Sequence, residues 1–216
     1  IIGGGPGGLS AAYYLQLMGH QTTVFEMLPK LGGMLRYGIP NYRLPKDRLD
    51  DDIDAILETG VKVEYGKRIG TDITIQELRK EYDAVLITIG ASTDKKLGIE
   101  GESAEGVISA VRFLRDVGKN LNPDLTGQEV AVIGGGNVAM DAARTAIRLG
   151  ADVTVLYRKT QEEMPAIQSE YEDAVKEGVK FEWKTTIEAF LKGKNGRLGS
   201  CVLNTPEGER VEKFDR

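Results

Sequence analysis

Ile2-Gly3-Gly4-Gly5-Pro6-Gly7-Gly8-Leu9-Ser10-Ala11-Ala12 opens the chain, and Ile133-Gly134-Gly135-Gly136-Asn137-Val138-Ala139-Met140-Asp141-Ala142-Ala143 writes the same pattern again. The match continues without a gap to Leu17-Met18-Gly19 and Arg148-Leu149-Gly150. Both copies then enter a β-branched run, Thr22-Thr23-Val24-Phe25 and Val153-Thr154-Val155-Leu156. Further on, Thr59-Gly60-Val61-Lys62-Val63-Glu64-Tyr65 resembles Glu177-Gly178-Val179-Lys180-Phe181-Glu182-Trp183. Each of these reads as a helix end, a glycine cap and an alternating strand. Strand, glycine turn, helix, strand in each copy means a parallel sheet with right-handed crossovers. The expected class is α/β, with two Rossmann-like three-layer dinucleotide-binding domains.

Working outward, the first copy ends in Tyr82-Asp83-Ala84-Val85-Leu86-Ile87-Thr88-Ile89-Gly90, which predicts a buried parallel strand. The second copy reaches Phe214-Asp215-Arg216 and stops. The first residue is Ile1 rather than Met, and the glycine turn follows almost at once. Truncation at both ends is therefore expected, with the last strand of the second copy missing. Between the copies, Val107 to Val117 has apolar residues at helical spacing, and Asn122-Pro123-Asp124 reads as a turn. The boundary is expected near Gly98 to Ser103, giving domains 1–101 and 102–216.

Composition narrows the field. The net charge of −5 gives no general attraction to nucleic acid or an anionic membrane, and no apolar run is long enough to cross a bilayer. The single cysteine, Cys201, excludes an internal disulfide, a CxxC pair and a cysteine-ligated iron–sulfur cluster within these residues. It reads as a small apolar residue in a strand. The only histidine, His20, lies in a helix-to-strand turn and reads as a solvated group. No metal ligand set and no catalytic side chain are expected.

Gly3, Gly5 and Gly8 form G-x-G-x-x-G between an apolar start and a helix. The first glycine permits the tight turn, the second lets backbone approach a pyrophosphate, and the third lets helix and strand pack closely. Free N–H groups and the helix dipole then hold the phosphates. The next strand ends in Glu26, about 20 residues on, where an acid can bind ribose hydroxyls. A glycine-rich turn without a ligand is the competing reading, and the complete strand–turn–helix–strand context weighs against it.

In the second copy Gly134, Gly136 and Ala139 form G-x-G-x-x-A. The position of Glu26 is taken by Tyr157, and Arg158 and Lys159 follow. Two cations there suit a ribose 2′-phosphate, which NADPH has and NADH lacks. The competing reading is a solvated charged turn. One acidic and one basic fingerprint point to two nucleotides, FAD first and NADPH second. Hydride transfer between them needs no protein acid or base.

At these residues the sequence resembles the two-dinucleotide-binding-domain flavoproteins, and within them the small (beta) subunits of NADPH-dependent glutamate synthase. The resemblance covers nearly the whole chain. Gly32-Gly33-Met34-Leu35-Arg36-Tyr37-Gly38-Ile39-Pro40 and Tyr42-Arg43-Leu44-Pro45 resemble the segment beside the flavin. Thr88-Ile89-Gly90-Ala91 resembles the family's Ala-Thr-Gly turn, with Ile89 in place of the usual threonine. Tyr157-Arg158-Lys159 with Glu163-Met164-Pro165 resembles the stretch at the NADPH 2′-phosphate, and Glu170 matches a glutamate near the nicotinamide nucleotide. For FAD the resemblance implies contacts from Gly3, Gly5, Pro6, Gly8, Glu26, Gly33, Arg36, Ile69, Thr88 and Gly90. For NADPH it implies Gly134, Gly136, Asn137, Val138, Arg158, Lys159 and Glu170. Singly, Gly32-Gly33 also fits a plain loop, Arg36 a surface charge and Met164-Pro165 a helix start.

Two departures limit the resemblance. Disulfide reductases of this broad fold carry a cysteine pair, which these residues lack. Asn137-Val138 stands where glutamate synthase commonly has Asp-Thr, and Asn-Val is familiar from adrenodoxin-type ferredoxin reductases. The resemblance implies a cytoplasmic electron-input enzyme. NADPH reduces FAD, and electrons pass to iron–sulfur clusters held in missing regions or a partner. That partner is a large amidotransferase-type subunit or a ferredoxin-like acceptor. Ferredoxin:NADP reductase, sulfide dehydrogenase and dihydropyrimidine dehydrogenase share the module. A dinucleotide-binding scaffold without turnover is the alternative of another class. The family's cysteine-rich N-terminal region and its C-terminal Gly-Asp segment over the flavin are absent from these residues, which alone are expected to be inactive.

Overall fold

The computed structural model describes residues 1–91, 93, 96–193 and 195–216. They form two compact units, Ile1–Ser92 and Thr93–Arg216, so the division falls ahead of the boundary expected near residue 101. Leu97 to Gly106 belong with the second unit because Glu100 and Glu105 bridge to Ala189 and Arg197.

The first unit runs α1 (Pro6–Leu17), β1 (Thr23–Glu26), α2 (Gly33–Tyr37), α3 (Lys46–Leu57), β2 (Lys62–Tyr65) and α4 (Ile75–Glu81). Strands β1 and β2 pair in parallel, Thr23 opposite Lys62. Pro6 starts α1 at a position where a missing N–H is harmless. Gly19, at φ +89°, ends it. Thr74 and Glu77 close α4 with a reciprocal capping box. Leu9, Ala12, Val24, Leu31, Leu49, Ile53 and Val61 make the core between the helices and the short sheet.

The stretch 84–90 departs from expectation. It is not a buried strand: Leu86, Ile87 and Ile89 are exposed, and pairing is limited to an isolated parallel bridge between Ile2 and Ile87. Ile2 donates to the Leu86 carbonyl (2.8 Å) and Thr88 donates back to Ile2 (2.9 Å).

The second unit runs α5 (Ala110–Gly118), β3 (Glu129–Ile133), α6 (Asn137–Arg148), β4 (Asp152–Tyr157), α7 (Gln168–Lys176), β5 (Lys180–Trp183), β6 (Thr186–Lys192), β7 (Leu198–Thr205) and β8 (Gly208–Glu212). The helix expected from Val107 begins at Ala110, capped by Ser109, whose Oγ accepts from Arg112 N. Strands β3, β4 and β5 form a parallel sheet in that order. Strands β6, β7 and β8 form an antiparallel sheet that the repeat did not foretell. At the free edge of β3, Ala131 donates to Arg216 O and Asp215 N donates to Glu129 O. The core packs Ala139, Met140, Ala142, Ala143 and Ala146 of α6 onto Val130, Val153 and Val155. Small α6 side chains let helix and sheet approach closely.

Candidate functional site: two glycine turns

In the first unit Gly3 to Gly8 leads from Ile2, which bridges to Phe25 of β1, into α1. Gly3 has φ +103°, and a Cβ there would stand 2.5 Å from Thr88 O. A Cβ on Gly8 would stand 2.0 Å from Gly3 O, so α1 presses directly on the turn. Gly5 differs. Its φ is −80°, and a Cβ would meet only Gly33 Cα at an ordinary 3.6 Å. Neither backbone nor packing demands glycine at residue 5. What an absent side chain leaves there is open space over an α1 N-terminus that no side chain caps. That is the space a pyrophosphate needs.

Glu26 ends β1 and is buried. One carboxylate oxygen accepts from Gly4 N and the other from Leu28 N, both at 2.8 Å. The side chain is thus fixed beside the turn, and a carboxylate oxygen with one donor still has a lone pair for a hydroxyl. Gly32 N donates to Gly4 O (2.8 Å), and a Cβ on Gly33 would lie 2.7 Å from Gly5 Cα. The Gly32-Gly33 loop therefore lies directly on the cradle. Thr88 Oγ1 lies 3.0 Å from the carbonyls of both Ile2 and Gly3. Gly90 has φ +68° with nothing near its missing Cβ.

Two expected contacts have other employment. Arg36 is buried, not a surface charge: its Nε donates to Leu31 O and its guanidinium pairs with Asp50. The Arg36 hydrogen bond holds the Asp50 carboxyl below its ordinary range. Ile69 is half-buried and packs against Ile2, Phe25 and Leu78. Both support the wall of the first unit from within.

The second turn has the same construction. Gly134 has φ +127° and donates to Leu156 O (3.1 Å). Gly136 precedes α6 at φ −93°, and a Cβ on it would meet nothing within 4 Å. Again the middle glycine is free of any demand from the protein. Ala139 is buried under the turn, whereas Val138 is half-exposed at 48%.

The segment after β4 folds back over this turn. Ala166 N donates to Gly135 O (3.0 Å), and Ile167 N donates to Asn137 Oδ1 (2.9 Å). The Tyr157 ring and Met164 fill the space that a Cβ on Gly135 would take. Tyr157 Oη donates to Glu163 O (3.1 Å). Residues 158–167 thus form a strap tied at both ends to the cradle, and Asn137 is one of its ties. Within it Arg158 is exposed and has no ion pair among the described residues, while Lys159 pairs with Glu163 at 3.1 Å. Met164-Pro165 belong to the strap, and helix α7 starts at Gln168.

Glu170 faces Arg144, whose guanidinium meets it at 2.9 Å and Glu177 at 2.8 Å. Arg148 joins Glu177 at 2.8 Å. These bonds, that of Arg148 foremost, hold the Glu177 carboxyl down at about 2. Arg144 is the structural participant that sequence reasoning passed over, and the role of Tyr157 against Gly135 is the one it did not foresee. Tyr157 was visible as the residue standing where Glu26 stands, but its packing on Gly135 had no sequence signal. Among the described residues no group of His, Cys, Asp or Glu could hold a metal ion.

Residues 1–215 match the model of the pyridine nucleotide-disulphide oxidoreductases. The chain belongs to that family. Among its relatives is the NADP(+)-dependent formate dehydrogenase subunit beta of Moorella thermoacetica, 45% identical over 97% of this chain and 30% of the relative. The NADPH-Fe(3+) oxidoreductase subunit beta of Geobacter sulfurreducens is 43% identical over 92% of this chain and 30% of the relative. The putative glutamate synthase [NADPH] small chain of Cereibacter sphaeroides is 39% identical over 89% of this chain and 49% of its own length. The chain thus spans between about a third and a half of these relatives. Mycobacterium tuberculosis FprA in complex with NADPH superposes at TM-score 0.77, with 20% identity, over all of this chain and 66% of FprA. Lactococcus lactis thioredoxin reductase follows at 0.71 with 24% identity, over 99% of this chain and 73% of the reductase. At such identities the likeness concerns the fold alone.

Membership in the pyridine nucleotide-disulphide oxidoreductases carries the two cofactors expected from the sequence, FAD and NADPH. The open middle glycine of each cradle fits a bound nucleotide. These 216 residues hold no cysteine pair. Cys201 is the only cysteine, it is buried in β7, and burial pushes its thiol up to about 11. Among the described residues no helix is long and apolar enough to cross a membrane.

Proposed function

We propose that the chain is the NADPH-to-FAD part of an electron-input subunit, with FAD in the first cradle and NADPH in the second. The observation that carries this reading is the opposite chemistry of two equivalent positions. Beside the first turn Glu26 is fixed as a hydroxyl acceptor. Beside the second stand Tyr157 and Arg158, an exposed cation with no ion pair among the described residues. A carboxylate repels a 2′-phosphate and accepts from a ribose hydroxyl, and a guanidinium does the reverse. When bound, the nicotinamide supplies a hydride that the flavin accepts. The protein's residues bind and orient: Gly5 and Gly136 leave room for phosphates, Gly33 and Thr88 shape the first wall, and the strap covers the second. Glu170 acts through Arg144, keeping α7 on α6 behind the strap.

Downstream, we propose that electrons pass through iron–sulfur centres to a partner subunit. The glutamate synthase small chain is the role expected from the sequence, and the Cereibacter relative supports it. The formate dehydrogenase and iron(III) oxidoreductase relatives support a shared input module with a different partner. Anaerobic addition of NADPH to the full-length flavin-loaded protein tests the module. Bleaching of the flavin bands with NADPH and much slower bleaching with NADH is the expected result. Unchanged bands despite bound flavin would favour a scaffold. Glutamine-dependent amination of 2-oxoglutarate, formate oxidation and iron(III) reduction, assayed with the co-purified partner, separate the roles.

A further inference from the structure

The two copies differ at one further pair of positions. After β2 the chain turns at Gly66, φ +66°, and Lys67 N then donates to Glu26 O (3.0 Å). After β5 the chain turns at Lys184, φ +54°, and Thr185 N donates to Tyr157 O (3.0 Å). Glu26 and Tyr157 are themselves equivalent positions, so this is one turn built twice. Glycine takes a left-handed backbone freely, whereas a lysine there is uncommon and strained. The copy with the carboxylate uses glycine. The copy with the cations uses lysine.

Strain held in a folded protein clusters where a side chain is wanted for a purpose. Here the surroundings name one. Lys184 N donates to Lys159 O at 3.0 Å, which anchors its backbone against the basic pair of the strap. Its side chain is exposed and makes no ion pair within 4.0 Å among the described residues. Its ammonium lies close enough to the strap to help lower the Glu162 carboxyl, after that group's own hydrogen bonds. Lys184 and Arg158 are therefore two cations without an ion pair within 4.0 Å among the described residues, on adjacent strand ends beside Lys159.

We propose that Lys184 is a third cation of the 2′-phosphate site and helps the second cradle choose NADPH over NADH. This rests on the assignment of NADPH to the second cradle. A phosphate dianion is held best by several donors from different directions, and Lys184 approaches from β5 where Arg158 and Lys159 approach from β4.

Titration of the full-length protein with 2′,5′-ADP and with 5′-AMP, which differ only in the 2′-phosphate, tests it. Lys184→Gly removes the cation and relieves the left-handed strain together. Affinity for 2′,5′-ADP is expected to fall about tenfold, affinity for 5′-AMP to stay constant, and thermal stability not to fall. Lys184→Arg is expected to keep most of the preference. Loss of affinity for both ligands alike, or an unchanged preference in Lys184→Gly, would overturn the role of Lys184. A wild-type protein that does not distinguish the two ligands would overturn the placement of NADPH itself.

Discussion

At the scale of single residues, the glycines divide by what they serve. Gly3, Gly8 and Gly33 are demanded by the protein, since a Cβ would strike backbone at 2.5, 2.0 and 2.7 Å. Gly5 and Gly136 are not: their φ values suit any residue and the space above them is open. A folding argument therefore explains the first group, and the proposed nucleotides supply the reason for the second. Gly8→Ala should lose roughly 2 kcal/mol or more, because a rigid carbonyl must move. Gly136→Ala should lose less than about 1 kcal/mol, the cost of a poorer N-cap, while NADP+ binding weakens more than tenfold (about 1.4 kcal/mol). Urea unfolding and calorimetric titration of the two variants read these apart. A Gly136→Ala protein that binds NADP+ like the wild type would remove the ligand-based reason for that glycine. Gly3, Gly5, Gly8 and Gly136 were legible in the sequence through the repeated motif, and Gly33 through a separate segment. Their different reasons were read from the motif's order; what spacing could not show is how close each missing Cβ comes to backbone, or that Gly33 is pressed against Gly5 Cα.

Among elements, the pairing of α6 with α7 depends on a charge cluster. Arg144 is nearly buried on α6 and is met by Glu170, Asp173 and Glu177 of the α7 region, with Arg148 sharing Glu177. The Glu177 carboxyl sits at about 2, below its ordinary 4.5. A carboxyl lowered by folding stabilises fully above the unfolded value and loses that contribution as pH falls through the folded one. The loss therefore runs from near 4.5 down to near 2. Its size is on the order of 1 kcal/mol once solvent screening is allowed for. Denaturant midpoints of wild type and Glu177→Gln should differ at pH 7, with the gap shrinking below pH 4.5 and closing only below about pH 2. A constant gap across that range would show that Glu177 is not an acid-sensitive link. The parallel α/β elements were readable from two glycine turns and two β-branched runs. The antiparallel sheet was not. Strands β6 and β7 shift register between Ile187 and Ala189, so buried Ile187 and Phe190 stand three apart rather than two. An irregular ladder hides the alternation that marks a half-buried strand. The opposite error arose at 84–90, where an apolar run pairs only through the Ile2–Ile87 bridge and leaves Leu86, Ile87 and Ile89 exposed.

On the scale of the whole molecule, the second unit carries its own reporters. Cys201 is the only cysteine and Trp183 the only tryptophan. Cys201 is 1% exposed in β7, and Trp183 stacks on Phe181 with ring centroids 5.4 Å apart. A thiol held at about 11 and shut from solvent reacts only when that region opens. Labelling of Cys201 by a soluble disulfide reagent at pH 8 should therefore be slow in the native protein and fast in denaturant. A nucleotide that binds the folded cradle and not the open chain lowers the open population by a factor of 1 + [L]/Kd, about 100-fold at one hundred times Kd. If the second cradle takes NADP+, that ligand at such excess should slow Cys201 labelling by up to this factor and move the Trp183 unfolding transition to higher urea. FAD, if the first cradle takes it, should shift neither by a comparable amount. Protection of Cys201 by FAD and not by NADP+ would mean that the two cradles had been assigned to the wrong nucleotides, because these two reporters lie in the unit that contains Gly134 to Ala139.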